Sequence, residues 1–397
     1  MGGTATDAAT TGIAAGRPQP QTSMEPAGGP FLRHTQPGRR PMYNQPFAFG
    51  GVVSQPLVAT PGFIRGYRTR ITATTAAGTG GVIAATVGGV DAPYSLAQLI
   101  QLKDAFATPI ITAPGYEALN LIPMFSGQFG TDETTGVQNL PSWTGITAAS
   151  GAFSFQSYLP FEFTNGYGVL SGANASLLPT LQVNMAAAAT LFSTAPSTLP
   201  TLALKVDADF YWLPEGVAVE PPGVGTTCQW VYQPCVPPLA SGASTVVQLP
   251  RLGGYLTVVI MELRDSTGLR IDAWPANPRI YLDGVPLIDS ELNTIYDDMA
   301  IAFQVGGGLA GGQTTPMNAP QTPRPTGVIA FSRKTSLAQR NFGLFDTGEE
   351  FLSTNPGTQL EISGIPWGTI TNAPATLNVI CGQVVPSGTL IQGLPEV

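Results

Sequence analysis

Charged residues are scarce in this sequence of 397 residues, because lysine, arginine, aspartate and glutamate together make up only 11% of it. The balance is acidic, with a formal net charge of -8 at pH 7. Such a chain cannot neutralise a phosphate backbone along an extended surface, so direct packaging of nucleic acid is disfavoured. Disorder is also disfavoured, because 43% of the residues are hydrophobic and disordered chains combine few apolar residues with many charges.

Histidine is nearly absent, since His34 is the single one in the chain. Because this histidine lies in the N-terminal segment that we expect to be flexible, one chain should form no Ser-His-Asp, Cys-His or multi-histidine metal site. No Gly-rich loop ends in Gly-Lys-Ser/Thr. A pair of carboxylates for glycoside cleavage remains open, because the separation of such a pair is set in space. We predict a protein that is not an enzyme, with no catalytic residue, no bound metal and no cofactor.

Acidic residues do cluster in one place, at Asp289, Glu291, Asp297 and Asp298. Such a cluster could hold a cation. It is more typical of the solvent-facing side of an amphipathic helix, which is the interpretation we adopt.

Cysteine is also rare, and the three residues Cys228, Cys235 and Cys381 do not have the spacing of a zinc site. Cys228 and Cys235 could pair across a short loop, but reduced and partly buried thiols are the preferred interpretation. Apolar runs such as LTVVIM at 256–261 are far shorter than the roughly 20 residues that a membrane-spanning helix needs. The N-terminal residues lack a basic start followed by an apolar run, so we expect no secretion signal and synthesis in a cytoplasm.

Glycine and proline, by contrast, are abundant, with 47 and 37 residues respectively. This abundance is typical of an all-β protein with many turns. The length fits one large core or two ordinary ones, and two domains of similar size are the first expectation. Residues 1–45 are rich in Gly, Pro, Thr and Gln and are mildly basic through Arg17, Arg33, Arg39 and Arg40. We predict that they form an extended arm that only a neighbouring subunit or surface could order.

Alternation of apolar and polar residues predicts strands at 61–75 and at 201–214. Between them, Leu96, Leu99, Ile100, Lys103 and Phe106 keep helical spacing and predict a short amphipathic helix within 94–107. Long Gly- and Thr-rich stretches follow at 129–151 and at 304–327. Loops of such length are usually functional or exposed.

The second half repeats this outline, with predicted strands at 245–250, 255–263, 279–284, 328–335, 359–365 and 375–385 and a predicted helix within 286–303. The two long loops start about 175 positions apart, as expected if one domain has been used twice. We predict a first domain over 46–215, a Pro- and Gly-rich connection over 216–244 and a second domain over 245–397.

Four segments resemble the double jelly-roll major capsid proteins of tectivirus-like, tailless, membrane-containing bacteriophages. They are PGFIRGYRTRITAT from residue 61, SLAQLIQLKDAFATPIITAPGYEALNLI from residue 95, FSFQSYLPFEFTNGYGVLSGANASLLPTLQVNM from residue 153 and TVVQLPRLGGYLTVVIMEL from residue 245. In the third, Leu159-Pro160 is expected to end a strand at the barrel rim, and Asn165, Gly166 and Gly168 to let the chain turn. The similarity covers most of residues 50–390 and lies in order and spacing more than in identical residues.

The resemblance implies an all-β fold of two tandem eight-stranded jelly rolls with short helices and long loop insertions. It also implies a structural role in the virion, as the major capsid protein of an icosahedral bacteriophage shell around an internal lipid membrane. The expected partners are two further copies in a pseudo-hexagonal homotrimer, neighbouring capsomers, penton and minor capsid proteins, and the membrane beside the N-terminal arm. The alternative is a receptor-binding or carbohydrate-binding jelly-roll protein of a phage spike or cell surface.

Overall fold

The computed structural model of the chain describes residues 29–74, 82–83, 91, 93–104, 107–126, 153–162, 166, 168–172, 178–195, 197–215, 219–221, 226–242, 245–249, 254–303, 305–306, 322–323, 325–332, 352–353, 359–364 and 366–386. Most of the two stretches predicted as long loops, 129–151 and 304–327, lies outside these residues.

The described residues are mainly strands, as the sequence predicts. In chain order these are β1 (Gln36–Phe47), β2 (Val52–Pro56), β3 (Phe63–Thr74), β4 (Val82–Ile83), β5 (Ala97–Lys103), β6 (Pro109–Ala113), β7 (Phe153–Pro160), β8 (Leu170–Ser171), β9 (Thr180–Met185), β10 (Phe192–Thr194), β11 (Thr201–Trp212), β12 (Thr226–Leu239), β13 (Thr245–Gln248), β14 (Tyr255–Arg264), β15 (Arg279–Leu282), β16 (Val285–Asp289), β17 (Val305–Gly306), β18 (Thr322–Pro323), β19 (Val328–Ser332), β20 (Leu352–Ser353), β21 (Leu360–Gly364) and β22 (Ala375–Pro386).

Helices are few and short in the described part of the chain. They are α-helices Gly29–His34, Ile122–Phe125, Ala188–Leu191 and Leu292–Phe303, the 3-10 turn Tyr94–Leu96 and the π-helix Glu117–Leu121. None of them is long and apolar enough to cross a membrane.

The strands form two barrels with the same internal order. In the first barrel, one sheet runs β1-β11-β3-β7 and the other runs β2-β9-β5-β6. In the second barrel, the corresponding sheets run β12-β22-β14-β19 and β13-β21-β15-β16. Apart from short additional strands, each barrel therefore pairs its first, eighth, third and sixth strands in one sheet and its second, seventh, fourth and fifth in the other. The predicted duplication is confirmed at the level of topology.

Helices also occupy matching places in the two barrels. The buried helical segment that ends with Ile122–Phe125 lies between β6 and β7, and helix Leu292–Phe303 lies between β16 and β19. These are the fifth and sixth principal strands of each barrel. The stretches 129–151 and 304–327 follow these two helices in the sequence, so both occur at the same point of the repeated unit.

The predicted strands at 61–75 and 201–214 are confirmed as β3 and β11, which pair along 11 positions from Thr201↔Thr74 to Tyr211↔Phe63. In β11, Leu202, Leu204, Val206 and Ala208 are buried at every second position. In β3 the buried side chains do not keep to every second position, because Ile64 and Tyr67 are both buried and lie three positions apart. The change coincides with a register shift opposite Asp209 and Phe210. A bulge there turns both Ile64 and Tyr67 toward the core.

The helix predicted within 94–107 is wrong, because residues 97–103 form β5 after one 3-10 turn. The pairing of β5 with β9 shifts register between Ala97 and Leu99. The extra residue moves the buried positions to Ala97 and Ile100, a spacing of three that imitates a helical period. The helix of this barrel lies later, and its segment 117–125 is buried on all sides, so no amphipathic pattern marks it.

Two predicted boundaries need correction as well. The predicted arm, residues 1–45, includes most of β1, which pairs with β11 of its own barrel from Gln36↔Trp212 to Phe47↔Leu202. The predicted connection, 216–244, includes β12, which pairs with β22 from Thr226↔Pro386 to Leu239↔Ala375. Proline-rich segments such as QPGRRPMYNQPF read as irregular chain. Both segments are nevertheless strands. β1 lies at the edge of its sheet, and the prolines of β12 come after Val231, where its pairing with β6 ends, so the missing N–H groups are tolerated.

The apolar interior is continuous through both barrels. One cluster of buried side chains extends from Met42 in β1 to Cys381 in β22. A smaller cluster lies at the start of the described chain, where Phe31 packs edge-on against Phe63 and Tyr211 with ring centroids 5.6 and 5.3 Å apart. Helix Gly29–His34 is thereby anchored to its own barrel, contrary to the expectation that only a neighbour could order this part of the arm.

Candidate functional site: the contact between the two barrels

The two barrels meet along three kinds of contact. The edge strands β6 and β12 pair in parallel at Trp230↔Ile111 and Val231↔Thr112, which joins one sheet of each barrel into a single nine-stranded sheet. The rings of Phe125 and Phe303 touch edge to face, with centroids 5.0 Å apart, and connect the two helices. The third contact is a buried cluster of charges.

The charge cluster contains three carboxyl groups and two guanidinium groups from both barrels. Asp91 and Glu117 come from the first barrel, just before β5 and just after β6, and Glu262, Arg264 and Arg270 come from β14 of the second barrel and the turn after it. The carboxylate side chains are only 6%, 3% and 1% exposed for Asp91, Glu117 and Glu262. Charges this far from water require close partners.

Arg264 lies at the centre of the cluster. Its Nη1 donates to Asp91 Oδ2 at 2.7 Å, and its Nη2 lies 3.4 Å from Glu117 Oε1. Its Nε donates to Glu262 Oε2 at 2.9 Å, and the other oxygen of Glu262 lies 2.8 Å from Nη2. One guanidinium group therefore contacts carboxylates of both barrels, which its fork of five N–H donors allows.

Arg270 strengthens the same contact from the turn after β14. Its Nε donates to Asp91 Oδ1 at 3.0 Å, and its Nη1 donates to the Tyr116 hydroxyl at 2.5 Å. Its guanidinium group also lies 4.2 Å from the centre of the Tyr116 ring. Asp91 thus accepts one charged hydrogen bond on each oxygen, from two different arginines of the other barrel.

The cluster has one more negative group than positive groups, and this excess falls on Glu117. Burial, followed by the nearby negative charge of Glu262, raises the pKa of Glu117 well above its ordinary value. Glu117 Oε2 is buried without a hydrogen-bond partner, whereas Glu262 Oε1 has Arg264 Nη2 at 2.8 Å. A proton on Glu117 would turn this oxygen into a donor. The cluster therefore favours a protonated Glu117.

A second buried carboxylate, Glu162, organises the turn in YLPFEFTNGYGVL, residues 158–170. Glu162 Oε2 accepts from Arg65 Nε at 2.5 Å, and Oε1 accepts from the Gly166 N–H and the Tyr211 hydroxyl, both at 2.7 Å. The backbone N–H groups of Phe161 and Glu162 both donate to the Arg65 carbonyl at 2.9 Å. β7 ends at Pro160, as the sequence predicts.

Glycine is required in this turn at Gly168, whose φ is +82° and whose absent side chain leaves room for the Phe161 carbonyl oxygen. A Cβ there would lie 2.6 Å from that oxygen. Gly166 also has a positive φ of 91°, while Asn165 lies outside the described residues. The turn passes next to β12, because the same Cβ would lie 3.3 Å from the Cys228 nitrogen.

The outer face of the sheet β1-β11-β3-β7 carries an open polar depression of about 350 Å³. Asp209 lies between two arginines of neighbouring strands, accepting from Arg39 Nε at 2.8 Å and from Arg68 Nε at 2.7 Å. Arg70 and Lys205 line the same depression and contact Gln156 and Asp207. This face is locally basic on a chain that is acidic as a whole.

The structure does not bring the candidate residues of the sequence together into a chemical site. His34 is exposed in helix Gly29–His34, and Asp289 lies in β16, where it pairs with Arg279 at 2.9 Å. Asp297 and Asp298 lie on the outer side of helix Leu292–Phe303, as predicted. Within the described residues, no group of three or more His, Cys, Asp and Glu side chains is arranged to hold a metal ion.

The preferred interpretation of the cysteines is confirmed, since Cys228, Cys235 and Cys381 are all free. They are fully buried rather than partly buried. Burial raises the pKa of each thiol, to about 11 for Cys235.

The sequence analysis missed both buried carboxylate sites. Their members are far apart in the chain, and only the fold brings them together. One local signal was available for the first site: Glu262 and Arg264 interrupt the apolar strand YLTVVIMELR two positions apart, so they share a face of a strand that is otherwise buried. A charged pair in such a strand indicates a partner from another element.

Comparison with solved structures finds the same architecture elsewhere. The crystal structure of the major capsid protein of Sulfolobus turreted icosahedral virus matches with a TM-score of 0.58 and 13% identity, over 90% of this chain and 100% of that chain. PBCV-1 VP54 matches with a TM-score of 0.58 and 12% identity, over 88% and 93% of the two chains. The Faustovirus major capsid protein matches with a TM-score of 0.51 and 8% identity, over 88% and 90%.

The chain has the double jelly-roll fold. No protein-family model and no curated protein matches the sequence. At identities of 8–13% the likeness lies in the order and pairing of strands. The double jelly roll predicted from the order and spacing of four segments is thus confirmed, although some boundaries are wrong.

Proposed function

We propose that this double jelly-roll chain is the major capsid protein of an icosahedral virus and has a structural, non-enzymatic role in the virion. The observation that carries the proposal is the repetition of one eight-strand order in two barrels that are fixed side by side. Full-length similarity to major capsid proteins of several viruses supports it.

The proposed mechanism is geometric. Three copies around a three-fold axis present six barrels in a nearly hexagonal outline, and such a tile can cover a curved shell through repeated contacts. A tile of this kind requires that the two barrels of one chain keep a fixed relative orientation. The buried charges around Arg264 and the pairing of β6 with β12 provide such a connection.

The finer assignment follows the resemblance to tectivirus-like phages: a homotrimeric capsomer in the shell of a tailless bacteriophage, with an internal membrane and with penton and minor capsid proteins as further partners. We propose that 129–151 and 304–327 project outward, since both follow the helix after the fifth principal strand. The N-terminal residues that precede helix Gly29–His34 would contact neighbours or the membrane, with Arg17 available to anionic head groups. We also propose that the first barrel starts near β1 and the second near β12, in place of the predicted boundaries.

Light scattering coupled to gel filtration of the purified chain tests the proposal. A capsomer should have about three times the monomer mass of 41.3 kDa, and negative-stain images should show hexagonal top views. Deleting residues 1–28, which leaves β1 intact, should preserve the trimer and prevent shells from forming. A chain that stays monomeric at every protein concentration and binds glycans would contradict the proposal. It would favour the alternative of a receptor-binding or carbohydrate-binding protein.

A further inference from the structure

The contact between the barrels involves specific edges of the repeated unit. β6 is the fifth principal strand of the first barrel and β12 is the first strand of the second. Within one chain, the fifth-strand edge of one barrel therefore lies against the first-strand edge of the next barrel. Because the unit occurs twice, the chain also has a first-strand edge in its first barrel and a fifth-strand edge in its second barrel. Among the described strands, these two edges do not pair with each other.

The complementary edges are β16 and β1. β16 is the fifth principal strand of the second barrel, and among the described strands it pairs only with β15. β1 is the first strand of the first barrel, and in the same part of the chain it pairs only with β11. An unpaired edge is a template for another chain.

The exposed side chains of β16 are unusual for a solvent-facing edge. Val285 is 63% exposed and Leu287 is 39% exposed, with Pro286 between them. Natural edge strands that face water are usually protected by charged residues, proline or bulges, and β16 has a proline and a bulge but no charged residue before Asp289. Exposed apolar residues on an edge instead indicate a covered surface.

The charges of the two edges are complementary. Asp289 ends β16 and the exposed Glu291 follows it, whereas β1 carries the exposed Arg39 and Arg40. Arg40 donates one hydrogen bond to the Ala59 carbonyl at 2.8 Å, which leaves other N–H groups of its guanidinium for a second partner. Opposite charges across a contact fix its register and suppress wrong pairings.

The internal contact also predicts which residues should meet. Trp230 lies opposite Gly382, the eighth residue of β22, and Arg40 lies opposite Ala208, the eighth residue of β11. β6 and β16 each carry one extra residue opposite the preceding strand, Ile110 in β6 and Leu287 in β16, so Ile111 corresponds to Ile288. The pair Trp230↔Ile111 within the chain therefore corresponds to Arg40 and Ile288 between two chains.

We propose that β16 of one copy lies parallel to β1 of a second copy, with Ile288 next to Arg40 and Asp289 next to Pro41, so that the acidic end of β16 adjoins Arg40. The contact joins unlike surfaces, so it continues from copy to copy and closes into a ring when the rotation permits. Three copies would alternate three internal and three intermolecular contacts around the ring. This inference rests on the proposed capsid function and names the interface that the trimer would use.

Disulfide trapping tests the inference directly. A full-length variant with Arg40→Cys and Ile288→Cys should form intermolecular disulfides under mild oxidation, because paired residues of adjacent strands bring their Cβ atoms within bonding range. Non-reducing gels should show dimers and trimers and no longer ladder. The native thiols should not interfere, since Cys228, Cys235 and Cys381 are buried.

The matched control is Arg40→Cys with Val246→Cys. Val246 is 51% exposed on β13, the opposite edge of the same sheet, and should form no intermolecular link to Arg40→Cys.

In a second experiment, Leu287→Asp should raise the concentration at which trimers dissociate by about tenfold or more, whereas Val246→Asp should leave it unchanged. Circular dichroism should show that Leu287→Asp and Val246→Asp both leave the chain folded.

The outcomes separate this interface from the proposed function. A cross-linked trimer for Arg40→Cys with Ile288→Cys, absent in the control, supports the interface. A wild-type trimer whose control pair cross-links, or that tolerates Leu287→Asp, overturns the interface and leaves the capsid proposal standing. A wild-type chain that is monomeric at all concentrations and forms no shell overturns both.

Discussion

Arg264 of the second barrel donates a hydrogen bond of 2.7 Å to Asp91 of the first barrel, although 173 positions separate them in the chain. The same guanidinium also contacts Glu262 of its own strand and Glu117 of the other barrel. Buried ion pairs contribute little net stability compared with apolar packing, but they are costly to break and their directional bonds define one geometry. We infer that this cluster fixes the orientation of the barrels.

Arg264→Met should destabilise the chain severely. The substitution roughly keeps the volume but leaves buried carboxylates without their main partner, which typically costs about 3–5 kcal/mol in the free energy of unfolding. Urea denaturation followed by tryptophan fluorescence measures the change. Arg70→Met, on the exposed outer face of β3, is the control and should change the free energy by less than about 0.5 kcal/mol. Equal effects of the two substitutions would show that the cluster does not hold the barrels together.

Glu117→Gln should reduce the pH dependence of stability. Burial and the charge of Glu262 raise the pKa of Glu117 in the folded chain, so its contribution is fully present below the unfolded pKa of about 4.3 and is lost as pH rises through the folded pKa. The wild-type urea midpoint should therefore fall on the alkaline side, and the neutral amide should remove much of that fall.

The control for this pH series is Glu291→Gln, at an exposed position after β16. It should leave the slope of the urea midpoint against pH unchanged between pH 5 and pH 9. If Glu117→Gln also leaves that slope unchanged, the proton is not held at Glu117.

The sequence predicted strands well where one rule applied along a whole segment. β11 alternates buried and exposed residues, and β14 is apolar along most of its length, so both were placed correctly. The prediction was wrong where a bulge changed the period, as in β5, and where proline-rich strands were interpreted as irregular chain, as in β1 and β12. Proline removes a hydrogen-bond donor, but a stretch of strand with a neighbour on one side only uses half of its donors in the sheet.

The buried charges were beyond prediction from a single sequence. Glu117 lies in the apolar segment EALNLIPMF, and nothing near it in the chain indicates that its partners are Arg264 and Glu262. Only the pairing of the barrels brings them together. The general outline of two similar β domains, in contrast, follows from spacing alone.

Substitutions at Glu162 and Tyr211 should be strongly coupled. Glu162→Gln weakens the pairing with Arg65, whereas Tyr211→Phe removes the hydroxyl that donates to Glu162 at 2.7 Å. A hydrogen bond to a buried charged group contributes about 1.5–3 kcal/mol, so Tyr211→Phe should cost about that much in the wild-type background. It should cost distinctly less in the Glu162→Gln background.

The measurement is a double-mutant cycle of unfolding free energies for these two positions. The control cycle combines Glu162→Gln with Tyr255→Phe instead of Tyr211→Phe. The Tyr255 side chain is exposed at the start of β14 and should show no coupling to Glu162. A coupling energy near zero for Tyr211 would mean that the hydroxyl does not stabilise the turn.

Gly168→Ala should be more destabilising than Gly242→Ala, although both glycines have a positive φ, +82° and +67° respectively. The left-handed conformation costs an alanine about 1–2 kcal/mol at either position. At Gly242 nothing lies within 4 Å of the added Cβ, so Gly242→Ala should show that cost alone. At Gly168 the Cβ would lie 2.6 Å from the Phe161 carbonyl oxygen, so the backbone must also move, and we expect about 3 kcal/mol or more in total. Thermal unfolding of the two variants beside the wild type measures the difference. Because the Phe161 carbonyl adjoins Glu162, the backbone shift should also weaken the hydrogen bond from the Tyr211 hydroxyl to Glu162. Equal melting temperatures for the two variants would show that this turn is not tightly packed.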